Sequence, residues 1–218
     1  MLTSGLRGWQ AYGIQNPLPF GTWQVKAAGG MQLSMAITGL NLLSGATLKK
    51  SVFWGELPML YMGLSDLFNG NAAKLGFASP AGTYLFLAMS AAILYSIHTD
   101  ADYADNVITA VCAFKAFNAV VGYLAPKPMM KLWGVTVSDE REINMAKVDN
   151  AMMAMQVAPI LAIQQGHDVT KAIGYAWAIA LMLHIDGLYV SKDMGHMDAK
   201  PLQIWMVLQA LILASVFL

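Results

Sequence analysis

The chain has 218 residues, of which 57% are hydrophobic and 12% charged, and its mean hydropathy is +0.50. Soluble domains average about 25% charged residues, so this composition excludes a disordered chain and argues against a soluble globule. Thirteen basic residues against thirteen acidic ones leave no cationic face for a nucleic acid. What remains is an all-α, polytopic transmembrane helix bundle.

Residues 1–26 hold Arg7, Trp9, Tyr12, Pro17, Pro19 and Trp23, and read as an interfacial arm with aromatics at headgroup level. No basic stretch leads into an apolar core there, so no secretory signal is expected. Residues 27–218 read as a single transmembrane helical domain. Apolar segments follow at about 28–46, 52–69, 80–98, 105–125, 149–165, 171–190 and 202–218, each near the ~20 residues that cross hydrocarbon. The third, fourth, sixth and seventh are clear. Gly29, Gly30, Gln32 and Asn41 weaken the first; Glu56, Pro58 and Asp66 interrupt the second; Pro159 predicts a kink in the fifth.

Loop charge orders these segments. Lys74, Lys127, Lys131, Arg141, Lys147, Lys192 and Lys200 gather on one side, and Asp100, Asp102, Asp105 and Asp168 on the other, as the positive-inside bias requires. Lys49 and Lys50 break the pattern if the second segment crosses, so six to seven spans are expected. Lys74-Leu-Gly76, Lys131-Leu-Trp-Gly134 and Gly187-Leu-Tyr189 close successive segments. They predict loosely repeated helical hairpins with a period of roughly sixty residues. Ala88, Ala92 and Ser96, and likewise Ala172, Ala176 and Ala180, form small-residue ladders suited to helix contacts. The sixteen methionines suit ordinary packing or a surface that moulds to a flat or flexible ligand.

The chemistry-bearing residues are few. Cys112 is a lone apolar-run cysteine, which excludes an internal disulfide. His184 lies inside the sixth segment and continues its alanine ladder, so a flat macrocycle held by the imidazole would lie over Ala180 and Ala176. The competing role is a hydrogen bond to a neighbouring helix. His98 ends the third segment, either as a second ligand or as a solvated end. His167 reads as a solvated loop residue. Asp193-Met-Gly-His196-Met-Asp198 has soft and imidazole donors of the kind copper(I) prefers, in a short isolated run. Lys115 needs a carboxylate within the membrane, from Asp186 or Glu56. Gln156, Gln164, Asn118 and Asn150 are further polar groups in or near spans. Phosphate-loop, zinc-protease, hydrolase-elbow and dinucleotide motifs are all absent, so no enzyme is expected.

One stretch carries a resemblance. Pro126-Lys-Pro-Met-Met-Lys-Leu-Trp-Gly134-Val-Thr-Val-Ser-Asp-Glu140, leading into a methionine-rich helix, is similar to small multi-span membrane proteins of red-lineage algal plastids. Among them it resembles the linker subunits between photosystem I and its chlorophyll antenna in cryptophyte-type algae, over about residues 60–190. The resemblance implies a non-catalytic thylakoid protein that carries chlorophyll a and carotenoid and joins antenna proteins to a photosystem core amid lipids. His184 and His98 would then be axial ligands of chlorophyll magnesium, with Gln164, Gln156, Asn118 and Glu56 behind them. The antenna family itself fits poorly, because Glu142 is followed by Lys147 and the family's arginine is missing. Two other functions compete: a transporter or channel using Lys115, Asp186 and Glu56, and a heme-binding redox protein using His184.

Overall fold

A computed structural model describes residues 19–75, 79–135, 139–192 and 199–218. Among them every regular element is helical. We number these α1 (Pro19–Leu43), α2 (Leu48–Phe68), α3 (Asn71–Lys74), α4 (Ala81–His98), α5 (Ala104–Leu124), α6 (Pro126–Leu132), α7 (Glu140–Gln164), α8 (Val169–Ile185, continued by a π turn over Asp186–Val190) and α9 (Ala199–Phe217).

Local chemistry sets several of the boundaries. Residues 19–26 of the expected arm are helix, as the described part of α1. The rest of that arm lies outside the described residues, as does the Asp193–Asp198 run. Thr47 caps α2 by accepting the Lys50 amide at 3.3 Å. Asp139 accepts the Arg141 amide at 2.9 Å, and Glu140 and Glu142 follow in the first turn, where the helix dipole favours acids. That cap starts α7 well before the apolar run expected at 149. Pro126 ends α5 and supplies the first residue of α6.

Among the described residues four helices are long and apolar enough to cross a membrane: α4, α5, α8 with its π turn, and α9. This corrects the expectation of six to seven spans. The long helices α1, α2 and α7, of 25, 21 and 25 residues, fall short in hydropathy. Lys49, Lys50, Glu56 and Asp66 lie in α2, and Glu140, Arg141, Glu142, Lys147 and Asp149 in α7. The bundle compensates for this polarity by position. Helix α7 packs against α1, α5 and α8, while α1 packs on α2, α2 on α4, and α4 on α5. These contacts close a ring of five helices, α1–α2–α4–α5–α7. Helix α8 lies outside the ring on α7, and α9 lies on α8. Three of the apolar spans are sparsely buried, with 17%, 22% and 11% of α4, α8 and α9 inside the protein, whereas α5 reaches 39%. Their free flanks suit hydrocarbon.

Small residues permit the closest crossings. A Cβ on Gly55 would stand 2.0 Å from Thr38 Oγ1, where α2 meets α1, and one on Gly122 would stand 2.2 Å from Asn150 Oδ1, where α5 meets α7. The ladders read from the sequence fare differently. Ala88 and Ala92 face outward on α4, whereas Ala172 and Ala180 are buried.

A repeat longer than the expected one relates the two ends of the chain. At one constant spacing Lys26 pairs with Lys147, Met31 with Met152, Gly45 with Gly166, Lys50 with Lys171, and Leu67 with Leu188. Gly45 and Gly166 both take the left-handed conformation after α1 and α7, at φ +84° and +88°. Thr47 and Asp168 then cap α2 and α8 alike, each accepting the amide three residues on. Packing repeats as well, with α9 against α8 as α4 is against α2. The repeated unit is therefore α1, α2 and α4, matched by α7, α8 and α9.

Two outcomes test these capping arguments. Thr47→Ala should cost about 1 kcal/mol of stability, read as a lower Tm of the detergent-solubilised protein. Asp168 is held below its usual 3.8 chiefly by the Lys171 amide, and also by the Lys171 charge. Its ionised form therefore stabilises the fold fully above the unfolded value, and that stabilisation is lost as pH falls through the lower folded value. The Tm difference between the native chain and Asp168→Asn should stay level down to about pH 4 and shrink below it.

Candidate functional site

The interior of the five-helix ring holds a cavity of about 250 Å³, with walls from α1, α2, α4, α5, α6 and α7. At its edge α2 and α5 present the buried ion pair. Lys115 Nζ lies 2.8 Å from Glu56 Oε1, and both side chains are 4% exposed. Glu56 Oε2 accepts the Ser90 hydroxyl of α4 at 3.0 Å. The Phe86 ring stands 5.8 Å from the ammonium, within cation–π reach. Two long-chain ions taken out of water must satisfy each other, and here both carboxylate oxygens are engaged.

The cavity's other polar groups come mainly from α7. Asp149 and Gln156 are seven residues apart, two helical turns, so they share one face about 10 Å apart along the axis. Gln156 Nε2 donates to Ser34 Oγ at 2.7 Å, but its Oε1 is buried without a donor. Asp149 Oδ1 is likewise buried and without a donor. Asn118 spends its amide hydrogen on the Phe114 carbonyl of its own helix, at 2.8 Å. Nearer α3, Asp66 is fully engaged, accepting Trp23 Nε1 at 2.8 Å and Asn71 Nδ2 at 2.6 Å. The remaining walls are soft. Met31, Met59, Met62, Met89 and Met153 line it from four helices, with Phe114 and Trp133 beside them, so the methionine excess of the sequence is partly spent here.

Asn118, Gln156 and Lys115 therefore line one cavity, and Glu56 stands behind Lys115 as its ion-pair partner. The other expected ligands stand apart. Gln164 staples α7 to α5, accepting the Thr109 hydroxyl at 3.0 Å and donating to the Asp105 carbonyl at 3.3 Å. His98 is exposed in the last turn of α4. His167 is exposed too, its Nδ1 3.1 Å from the Tyr175 hydroxyl. Asp186 accepts from the Tyr123 hydroxyl, so of the two carboxylates considered for Lys115 it is Glu56 that makes the pair. Among the described residues no three His, Cys, Asp or Glu side chains group as a metal site.

His184 is half-buried between α8 and α9. Its Nδ1 lies 2.8 Å from the Ala180 carbonyl and 3.2 Å from Gln209 Oε1. Both neighbours are acceptors, so Nδ1 carries the hydrogen and Nε2 keeps its lone pair. The open flank expected over Ala176 and Ala180 is filled instead: Ala180 is 2% exposed, and Ala176 packs on the same core cluster.

Ser90 and Asp149 were not legible as site residues. A serine in an apolar run has no signature, and Asp149 stands at the edge of its apolar segment. The one usable signal was its spacing from Gln156, seven residues on a single helix face.

A double-mutant cycle tests the ion pair. Glu56→Leu or Lys115→Leu alone leaves an uncompensated buried charge and should cost about 3–5 kcal/mol, whereas the double variant should recover most of it. Thermal unfolding of the three variants in detergent reads the difference, and simple additivity would disprove the coupling.

No family model matches the sequence, and no match is found among curated proteins or solved structures.

Proposed function

We propose that this chain is a small multi-span membrane carrier whose five-helix ring takes up a small solute that donates hydrogen bonds, an amine or guanidine in its cationic form. One observation carries the reading: Asp149 Oδ1 and Gln156 Oε1 are buried acceptors without donors at the same cavity. A buried polar atom left unpaired costs about 1–3 kcal/mol, and the imbalance here is one of acceptors. The group that fits is therefore a donor. Lys115 does not compete, because Glu56 already holds it. The rings of Trp23, Phe86 and Phe114 at the cavity suit a cation over a π face. A volume near 250 Å³ is below the roughly 300–1,000 Å³ of drug-sized sites, so the solute is small. The repeat supports carriage, since carriers place their sites between repeated units, and this cavity lies between α1, α2 and α4 of one unit and α7 of the other.

Calorimetry of the full chain in lipid nanodiscs should find binding of methylguanidinium and none of acetate. Asp149→Asn should weaken that binding about tenfold, as expected for a charge-assisted hydrogen bond. Uptake of methylguanidinium into proteoliposomes should fall in step. Equal binding of the two probes, or an unchanged affinity in the variant, would remove the reading.

A second reading keeps the chain as a chlorophyll- and carotenoid-bearing linker at a photosystem in the plastid thylakoid. It is favoured by the Nε2 lone pair of His184, whose ring is oriented by Ala180 and Gln209 as a metal-binding imidazole requires. Protein refolded with chlorophyll a and carotenoid would then show pigment absorption that His184→Leu reduces. Pigment content identical in the two proteins would dismiss it.

A further inference from the structure

The ring cavity holds a carboxyl group with nothing beside it to neutralise it. Asp149 lines the cavity, and its Oδ1 is buried without a donor. Among the described residues neither of its oxygens has a hydrogen-bond or ion-pair partner. The charged groups on the surrounding helices are engaged elsewhere. On α5, Lys115 is held by Glu56 of α2 at 2.8 Å. Asp66 of α2 is itself an acid and accepts from Trp23 and Asn71. On α8, Asp186 accepts the Tyr123 hydroxyl, and His184 turns to Gln209 of α9. On α7 itself, Lys147 lies over the Tyr123 ring at 5.9 Å. The described residues that α1, α4 and α6 bring to the cavity wall carry no charge. A carboxylate so placed is disfavoured, because withdrawal from water penalises the charged form. A proton removes that charge, and so does a bound organic cation. The two compete for the same pair of oxygens.

We propose that Asp149 makes the site an exchanger: the empty cavity holds the carboxyl protonated, and an entering cation displaces that proton. This rests on the carrier reading above and supplies its coupling. The step balances. The Asp149 O–H bond breaks, its electron pair stays on the carboxylate, and the proton leaves to water. The carboxylate then accepts an N–H of the guanidinium or ammonium. One positive charge enters as one leaves, so the net charge of the site does not change. Holding both would add a positive charge to the ring, and holding neither would leave an isolated anion; each is an unpaired buried charge. Only the two singly loaded states are favoured, so the carrier swaps one cation for one proton. Glu56 cannot take this part, because Lys115 neutralises it in both states.

Calorimetry of the full chain in lipid nanodiscs separates the exchange from carriage itself. Methylguanidinium keeps its charge at every usable pH, so a proton released on binding comes from the protein. Titrations at about pH 5, above the usual aspartate value near 3.9, in two buffers of different ionisation enthalpy should show close to one proton released per cation bound. Affinity should rise about tenfold per pH unit until Asp149 ionises in the empty site, and should be level with pH in Asp149→Asn. In proteoliposomes an acidic interior should speed uptake of methylguanidinium, and an imposed membrane potential should leave it unchanged. Binding without proton release, or a native affinity as flat with pH as that of Asp149→Asn, would overturn the exchange and leave the carrier standing. An absence of binding at every pH would remove both. The proton count and the pH slope of the native chain decide the matter even if the variant does not fold.

Discussion

The pairing of buried Lys115 with buried Glu56 ties this architecture together. Glu56 and Lys115, each 4% exposed, meet at 2.8 Å across the ring. Neither could be taken out of water singly, because the desolvation of one ion amounts to several kcal/mol. Their pairing joins α2 to α5, and Ser90 adds α4 through the second carboxylate oxygen. Three of the five ring helices are thus tied at one point. That tie holds open the space in which Asp149 and Gln156 face methionine thioethers and aromatic rings.

The same logic separates the helices into two kinds. Polar helix α7 lies where α1, α5 and α8 shield it, whereas α4, α8 and α9 expose long apolar flanks. Inside lipid, apolar burial gives little drive for association, so contacts rely on shape and hydrogen bonds. Gly55 against Thr38 and Gly122 against Asn150 supply the shape. Gln156 on Ser34 and Gln164 on Thr109 supply the bonds. Each of these polar contacts joins α7 to a different neighbour, which accounts for its central place despite its charge.

The duplication of α1–α2 as α7–α8 bears on function more than any single residue does. Equivalent backbones carry different side chains at matched places: Glu56 against Trp177, Gly63 against His184, Ala28 against Asp149. One unit brings the carboxylate of the ion pair, the other the orphan carboxylate, and the cavity needs both. The imidazole of His184 belongs to the second unit alone and faces α9, away from the cavity. Two polar environments of distinct chemistry therefore stand on one repeated scaffold.

Composition and hydropathy alone determined that the chain is helical and suited to a membrane, because crossing hydrocarbon demands runs of about 20 apolar residues. Such runs are visible one at a time, as at 81–98 and 199–217. Spacing also marked Lys115, Glu56, Gln156, Asn118 and His184 as groups that need partners, since a polar side chain in an apolar run is conspicuous. The partners were beyond its reach. That Lys115 meets Glu56 and not Asp186, that Ala180 is covered and not open, and that Ser90 and Asp149 join the site all depend on which helices stand side by side. Only the tertiary structure decided that, because hydrophobicity drives a helix into lipid without regard to its neighbours, and close packing around Gly55 and Gly122 selects them.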